Sequence, residues 1–138
     1  MITREPIIPP LQTVHSDQVV FQLLRDFLFG IQSKNIDEIL SVFHVDAKFK
    51  DEIEAKQILY PDFADYFSKE CEKFISFWPS ILIVTFDKKL SKATGVFEYE
   101  FEQTNLDTGI ILQMCLFTVK DNLIISYDGG LKKKLRRS

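Results

Sequence analysis

The stretch FLFGIQSKNIDEILSVFHVDAKFKD, residues 27–51, decides the fold, because two helical patterns and the start of a strand follow one another within it. Apolar residues recur at three- and four-residue steps over residues 20–31, which predicts an amphipathic helix ending near Gln32. Asn35 followed by Glu38 resembles a capping box. The sequence therefore predicts a second, short helix that begins directly after Asn35.

The segment after this second helix changes to a strand pattern. The helix is predicted to stop near His44, because Val45, Ala47 and Phe49 alternate with polar residues. The strand leads out of an apolar run to Asp51. An acidic residue is thus expected at the end of the first strand.

The chain continues with a third helix and a β-rich half. Pro61 suits the first turn of a helix, and apolar residues at helical spacing extend that helix to about Lys73. Residues 75–86 form an apolar run, in which Pro79 favours an edge strand, a bulge or a break between two short strands. Residues 52–60 match no element clearly.

Three further strands are predicted from alternation and turn residues. Residues 93–103 place aromatic residues on one face and glutamates on the other, and residues 104–109 have the composition of a hairpin turn. Residues 110–120 are apolar on both faces, which predicts a central strand buried on both sides. A last strand is predicted over residues 123–128, and the glycine pair that follows is predicted to end it.

The length of 138 residues predicts one domain. Residues 1–15 contain three prolines and are predicted to form an extended arm, residues 16–130 the domain, and residues 131–138 a basic tail. The net charge is −3, but the tail holds five basic side chains and no acidic one, so the rest of the chain is acidic. Basic charge outside the folded region does not fit a nucleic-acid-binding domain.

The N-terminus lacks the continuous apolar segment of a secretory signal, and no apolar run reaches the roughly 18 residues of a membrane span. We therefore expect a cytoplasmic protein. Cys71 and Cys115 have no metal-ligand spacing, which favours reduced core thiols over a disulfide or a metal site. No nucleotide- or dinucleotide-binding fingerprint occurs, so no cofactor is expected.

The order of predicted elements is an α+β pattern, in which one curved sheet wraps a helical layer. At residues 35–51 and 116–129, NIDEILSVFHVDAKFKD and LFTVKDNLIISYDG resemble the short-helix motif and the closing hairpin of the nuclear transport factor 2-like superfamily. This superfamily includes the SnoaL-like polyketide cyclases and the ketosteroid isomerases. The resemblance implies a cystatin-like cone, with a curved antiparallel or mixed sheet wrapped around three N-terminal helices.

The resemblance also implies a cavity and an assembly. In this superfamily the cone encloses an apolar cavity open at one end, and many members are homodimers through the outer face of the sheet. Asp51 falls where the steroid-isomerase branch places its general base, and a carboxylate at the lip of an apolar cavity suits a proton shuttle. The alternative for Asp51 is a strand-end carboxylate that faces water.

Two departures from that branch weigh against steroid-isomerase chemistry. Phe27 stands at the position of the first-helix tyrosine and cannot donate a hydrogen bond, and the late-strand region offers only Gln113 as a polar group. Losing an oxyanion donor costs roughly 100- to 1000-fold in rate. If the chain is an enzyme, we expect another isomerase- or lyase-like reaction with Asp51 as the base.

The residues predicted to line the cavity are aromatic apart from one amide: they are Phe27, Tyr66, Trp78, Tyr99, Gln113 and Tyr127. The tyrosines and the tryptophan combine an apolar ring with a polar tip that a ligand can reach. Packing in the core is the alternative for each of these four residues.

Two other groups of side chains are candidates for chemistry. His44 and Asp46 could form a catalytic pair or bind a metal, but the only other histidine is in the N-terminal arm, so we prefer a structural role and predict no metal site. Glu98, Glu100 and Glu102 are spaced about 7 Å apart along one strand face. A solvated face or cross-strand ion pairs are preferred over a paired-carboxylate or cation site.

Three functional hypotheses follow. The first is a homodimeric domain that binds an apolar small molecule or a protein segment in or near its cavity, because thirteen phenylalanines accompany the missing catalytic donors. The second is a SnoaL- or ketosteroid-isomerase-like enzyme that performs proton transfer, cyclisation or dehydration of a small apolar substrate with Asp51 as base. The third is a protein-interaction or transport adaptor that binds a protein partner through the basic tail.

Overall fold

The structure is a computed structural model that describes residues 17–52 and 54–136. Three α-helices and six β-strands occur within these residues. The helices are α1 (Asp17–Ser33), α2 (Ile36–Ser41) and α3 (Phe63–Glu72), and the strands are β1 (Phe43–Lys50), β2 (Ile58–Leu59), β3 (Phe74–Asp87), β4 (Lys92–Gln103), β5 (Thr108–Lys120) and β6 (Leu123–Arg136). The predicted N-terminal arm, residues 1–15, lies outside the described residues.

The start of α2 follows the local sequence closely. The Asn35 side chain accepts a hydrogen bond from the backbone N–H of Glu38 at 3.1 Å, which confirms the predicted cap. The helix ends at Ser41 rather than near His44. It stops earlier because Phe43 already belongs to β1 and pairs with β6.

The six strands form one mixed sheet in the order β2-β1-β6-β5-β4-β3. β1 and β6 run parallel, and all other neighbours are antiparallel. Register shifts between β1 and β6, β3 and β4, and β5 and β6 mark bulges, and bulges bend a sheet. The predicted α+β fold, a curved mixed sheet around three helices, is confirmed.

The hydrophobic core lies between the concave face of the sheet and the helices. Its centre is aromatic, with Phe63, Phe67 and Phe97 almost fully buried. Burying one such ring contributes about 1.5–3 kcal/mol relative to leaving it exposed. These residues therefore supply much of the stabilisation of the layer beneath the sheet.

β1 contains an irregularity that simple alternation does not predict. Its buried residues are Phe43, Ala47 and Phe49, whereas Val45 is 67% exposed. The register of β1 against β6 shifts between Phe43 and Lys48. This bulge turns Val45 outward and corrects the prediction of a regular alternation from Val45 to Phe49.

β3 is a continuous strand of 14 residues at the edge of the sheet. Pro79 lies within it, and the register shifts between Phe74 and Ser76 and again between Ile81 and Ile83. Of the three predicted alternatives, the structure has the edge position and the bulges, without a break. A proline fits here because an edge strand leaves one side of its backbone unpaired.

β5 is central in the sheet but is covered on one face only. Its concave face buries Gln113, Cys115 and Phe117, while Met114 and Leu116 on the convex face are 40% and 49% exposed. The prediction of a strand buried on both sides is wrong for the described chain, in which no other element covers the convex face of β5. An apolar surface therefore remains open there.

β6 extends well past its predicted end. The strand continues through Gly129 and Gly130 to Arg136 and stays paired with β5. Gly130 has a φ of 60° and lies in a bulge opposite Cys115, so the glycines bend the strand instead of ending it. The residues predicted to form a basic tail belong to the sheet as far as Arg136, which corrects the domain boundary at residue 130.

Over residues 17–52 and 54–136, no helix combines the length and the apolar composition needed to cross a membrane. Cys71 on α3 and Cys115 on β5 are buried free thiols.

Candidate ligand-binding cavity

A cavity lies between α1, α3 and the concave face of the sheet, beside the end of β1. Its volume is about 70 Å³, which leaves room for roughly five water molecules. The lining residues are Phe27, Leu28, Ile31, Phe49, Asp51, Tyr66, Phe67, Glu70, Phe74, Phe77, Phe97, Tyr99, Gln113, Tyr127 and Lys132. Aromatic walls with a few convergent polar groups are typical of small-molecule sites.

Most of the predicted site residues meet at this cavity. Those that line it are Phe27, Asp51, Tyr66, Tyr99, Gln113 and Tyr127. Trp78 does not line it, because its side chain is 60% exposed on the convex face of β3, opposite Glu100. Alternation along the strand turns the neighbouring Phe77 into the cavity instead, which corrects the prediction for Trp78.

Asp51 stands at the cavity wall directly after β1. Its Oδ2 lies 2.6 Å from Nζ of Lys132, and its side chain is 39% exposed. Its backbone carbonyl accepts a hydrogen bond from Nε2 of Gln113 at 3.3 Å. Gly129 permits this placement, because a Cβ at that position would overlap the Asp51 carbonyl oxygen.

The side-chain N–H groups of Gln113 bind the backbone of the cavity wall and are not available to a ligand. The residue is 5% exposed, and its Nε2 donates hydrogen bonds to the carbonyl oxygens of Gly129 at 2.8 Å and Asp51 at 3.3 Å. Both N–H groups of the amide are therefore used by the backbone. A bound molecule would have to find its donors elsewhere.

Two tyrosine hydroxyls at the cavity have no hydrogen-bond partner among the described residues. Tyr99 on β4 is 6% exposed, and Tyr66 on α3 is partly buried. Burial is the largest cause that raises the pKa of each hydroxyl well above its usual value, and the negative charges of Asp51, Glu52 and Glu70 raise it further. Both hydroxyls therefore stay protonated and can donate a hydrogen bond to a bound molecule.

Tyr127 has a different role, because its hydroxyl already has a partner. It is hydrogen-bonded to the thiol of Cys115, and burial raises the pKa of both groups, that of Cys115 to about 11. Its ring stacks on Phe49 with 5.0 Å between the ring centroids. Tyr127 thus forms a fixed part of the cavity wall.

The sequence interpretation missed Lys132 and Glu70. The sequence predicts that Lys132 lies in a tail, but the bulge in β6 directs its side chain inward, where it pairs with Gln113 of β5 in the sheet. Residues 131–135 read LKKKL, which has no two-residue alternation that would indicate a continuing strand. Glu70 follows Tyr66 by four residues on α3, and this spacing places both side chains on one face of the helix.

His44 is not a lining residue. Its Nδ1 accepts a hydrogen bond from the backbone N–H of Asp46 at 3.0 Å, and its Nε2 lies 3.6 Å from Oδ2 of Asp121. These contacts connect the bulge of β1 to the turn between β5 and β6, which is a structural role. No three His, Cys, Asp or Glu side chains come together as possible metal ligands in the part of the chain that the structure describes.

The glutamates of β4 also lie away from the cavity. Glu98, Glu100 and Glu102 project from the convex face, while the residues between them are buried on the concave face. They are therefore on the opposite side of the sheet from Asp51.

No family model and no curated protein matches this chain, but solved structures do. An LEH-like epoxide hydrolase from M. tuberculosis matches with 12% identity over 82% of both chains and a TM-score of 0.69. AusH from Aspergillus nidulans matches with 7% identity over 86% of both chains and a TM-score of 0.71. A nuclear transport factor 2-like protein of unknown function from Burkholderia pseudomallei matches with 6% identity over 84% of this chain and 90% of that one, with a TM-score of 0.68.

These likenesses agree with the topology described above. The chain has the nuclear transport factor 2-like fold, as its sequence resemblance predicted. At such low identities the likeness shows the fold alone, since this fold carries many unrelated functions. Function has to be argued from the cavity itself.

Proposed function

We propose that this chain binds a small, mostly apolar molecule in the aromatic cavity, and that it does so as a homodimer. The observation that carries the proposal is the pair of hydroxyls of Tyr66 and Tyr99, which lack partners within the described chain and line an apolar space. An unsatisfied buried hydroxyl costs about 1–3 kcal/mol. A bound molecule that shares a hydrogen bond with Tyr99, the more deeply buried of the two, recovers this free energy.

The volume of the cavity sets the size of that molecule. About 70 Å³ is well below the space that a protein segment would need, and drug-sized ligands occupy pockets of roughly 300–1,000 Å³. Phe27 narrows the space, because its ring packs against Phe67 at 5.8 Å and Tyr127 at 5.2 Å. A molecule of a few non-hydrogen atoms fits, with an expected Kd of about 1 mM.

Ligand-observed NMR with a library of small organic compounds tests the cavity. Ile31→Trp fills the cavity from α1, whereas Phe29→Trp places the same ring on the exposed face of the same helix and serves as the control. We expect binding to the unmodified protein and to Phe29→Trp, and at least tenfold weaker binding to Ile31→Trp, about 1.4 kcal/mol. Equal binding to both variants, or no binding compound at all, contradicts the proposal.

The convex face of the sheet supports the homodimer. Four apolar side chains lie side by side in one row across β3, β4, β5 and β6; they are Ile83, Val96, Met114 and Leu131. On the next row, Glu98 and Lys133 lie on either side of Leu112. An apolar row bordered by opposite charges can pair with a second copy of itself around a two-fold axis.

A second candidate function is proton transfer with Asp51 as the general base. The hydroxyls of Tyr66 and Tyr99 line the same cavity as the Asp51 carboxylate, so they supply the donors that Phe27 and Gln113 cannot. A carbonyl oxygen held by a tyrosine hydroxyl would gain stabilisation as negative charge develops on it. The carboxylate could then accept a proton from the adjacent carbon.

Deuterium exchange tests this second candidate. Small ketones are incubated with the protein in D₂O, and loss of the α-proton signal is followed by NMR. Asp51→Asn is expected to lower the exchange rate at least roughly 100-fold, while Lys48→Gln, an exposed change on β1, leaves it unchanged. Exchange that is no faster with the protein than without it contradicts this function.

A further inference from the structure

Carboxylates outnumber basic side chains on the cavity wall. Asp51 and Glu70 are the carboxylates on its wall, and Lys132 is the one basic side chain among its lining residues. The charge of Lys132 is matched by Asp51 at 2.6 Å, and that of Glu70 is matched by Lys73, outside the lining, at 2.7 Å. A molecule in the cavity therefore meets no unmatched positive charge from the lining.

The hydroxyls of Tyr66 and Tyr99, which have no partner among the described residues, lie close enough to these carboxylates to be affected by their charge. Burial raises the pKa of Tyr66 and of Tyr99, and among the charged groups every contribution to this increase comes from a carboxylate. A negatively charged molecule would be repelled at this position. A positively charged one would be attracted, and a hydroxyl oxygen can accept a hydrogen bond from an ammonium N–H.

Aromatic rings form most of the remaining wall. Tyr99 stacks with Phe97 at an interplanar angle of 28° and lies 4.7 Å from the ring centroid of Phe77. The faces of such rings attract cations that lie within roughly 6 Å of the ring centroid. Aromatic rings together with a carboxylate are the groups that recognise organic cations.

Lys132 shows that the cavity wall accepts an ammonium group. Its Nζ lies 2.6 Å from Oδ2 of Asp51, and its side chain is 21% exposed, so the charge is partly withdrawn from water. The long side chain reaches this position from the end of β6. A ligand with its own ammonium group could take the same place beside Asp51, with Lys132 turning out to solvent.

We propose that the molecule bound in this cavity is a small organic cation of the alkylammonium class, whose ammonium group replaces that of Lys132 at the Asp51 carboxylate. The alkyl part lies against the aromatic rings, and the hydroxyls of Tyr66 and Tyr99 accept or share hydrogen bonds with the ammonium group. This inference rests on the proposed function, since it names the class of molecule that the cavity binds.

Three probes of similar size test whether the charge or the shape of a molecule decides its binding. They are tert-butylammonium, its neutral isostere tert-butanol, and acetate. Each is titrated at pH 7 and constant ionic strength into ¹⁵N-labelled protein, and Kd is taken from amide chemical shifts. The variants are Asp51→Asn, which removes the proposed counter-ion, and Lys132→Met, which removes the competitor. Lys48→Met, an exposed change on β1, is the control for loss of a lysine.

The ammonium probe is expected to bind about tenfold more tightly than tert-butanol. Asp51→Asn should remove this preference, and Lys132→Met should strengthen binding of the ammonium about tenfold while changing that of the alcohol far less. Acetate should not bind. Lys48→Met should behave as the unmodified protein.

Other outcomes overturn the inference in distinguishable ways. Binding of tert-butanol as tight as that of the ammonium, in the unmodified protein and in Lys132→Met, contradicts the cation class but leaves small-molecule binding intact. Weaker ammonium binding in Lys132→Met contradicts the exchange of Lys132 for the ligand. Failure of all probes to bind contradicts both this inference and the proposed function.

Discussion

The ammonium nitrogen of Lys132 lies 2.6 Å from a carboxylate oxygen of Asp51, although 81 positions separate the two residues in the chain. The contact exists because β1 and β6 run parallel, so that the end of β1 meets the middle of β6, with Lys50 opposite Asp128. The glycine bulge that follows then directs Lys132 back toward the cavity. One ion pair thus joins the first strand, the last strand and the cavity wall.

This ion pair is expected to contribute little to stability. The Asp51 side chain is 39% exposed, so solvent screens the interaction and we expect a coupling free energy of at most about 1 kcal/mol. A double-mutant cycle with Asp51→Asn and Lys132→Met, measured by urea unfolding, gives this value. The exposed pair Asp65 and Lys69 on α3 is the control, with an expected coupling of about 0.3–0.5 kcal/mol.

A coupling between Asp51 and Lys132 well above 2 kcal/mol would contradict this expectation. It would mean that the pair is more deeply desolvated than the exposed fractions indicate.

Gly129→Ala is expected to destabilise the protein by about 2 kcal/mol or more. The added Cβ would overlap the carbonyl oxygen of Asp51, which is backbone and cannot move aside without shifting the end of β1. Urea unfolding measures the loss. Ser126→Ala, an exposed change on the same strand, is the control and should stay within about 0.5 kcal/mol of the unmodified protein.

Crystallisation of Gly129→Ala, or its NMR spectrum if it folds, gives an independent readout. The amide signals of Asp51 and Gln113 should move, because the hydrogen bond between them depends on this close approach. An unchanged stability and unchanged signals would contradict the role given to Gly129.

Three of the four tyrosines are expected to ionise only at unusually high pH. Burial raises the pKa of Tyr66, Tyr99 and Tyr127 above the usual value near 10. Because the folded state holds these protons more tightly than the unfolded state, their contribution to stability is complete below about pH 10 and is lost as the pH rises above it. The protein should therefore unfold in alkali as these hydroxyls ionise.

The absorbance of the phenolate band, followed during a pH titration, measures at which pH the tyrosines ionise. Protein in guanidinium chloride is the reference, where all four tyrosines should ionise near their usual pKa of about 10. Normal, reversible ionisation of all four in the folded protein would show that the hydroxyls are solvated.

Met114→Glu is expected to disrupt the proposed homodimer. The substitution places a charge in the middle of the apolar row on the convex face, where a partner would have to desolvate it without a matching cation. Sedimentation equilibrium should show a dimer for the unmodified protein and a monomer for Met114→Glu. Leu106→Glu, in the turn between β4 and β5 and 78% exposed, should leave the dimer unchanged.

A monomer at all concentrations for the unmodified protein would contradict the assembly. Dissociation of the Leu106→Glu variant as well would show that the convex face is not the contact.

Much of the fold could be predicted because its signals are local. The hydrogen bond from the Glu38 amide to the Asn35 side chain involves residues three positions apart, so the cap is encoded within one helical turn. The alternation of β4 is equally local, since successive side chains of any strand point to opposite faces. The cavity residues Asp51 and Tyr99 followed from the resemblance and from these patterns.

The departures from prediction arise where strands pair over long distances. Val45 turns outward because β1 changes register against β6, and no signal within β1 marks that shift. Gly130 adopts a bulge rather than a strand end because β5 supplies partners as far as Arg136. The local conformational preference of a glycine pair is the same in a bulge and at the end of a strand. Only pairing with the neighbouring strand therefore decides which of the two forms.

The sequence by itself therefore determined the order of the three helices and of every strand except β2, the capped start of α2, and the aromatic character of the core, because each depends on nearby residues and on burial of apolar side chains. The tertiary structure alone decided that Lys132 meets Asp51 and that Trp78 faces solvent while Phe77 faces the cavity. These outcomes depend on strand register and bulges, which are fixed by pairing between distant segments and not by any one segment.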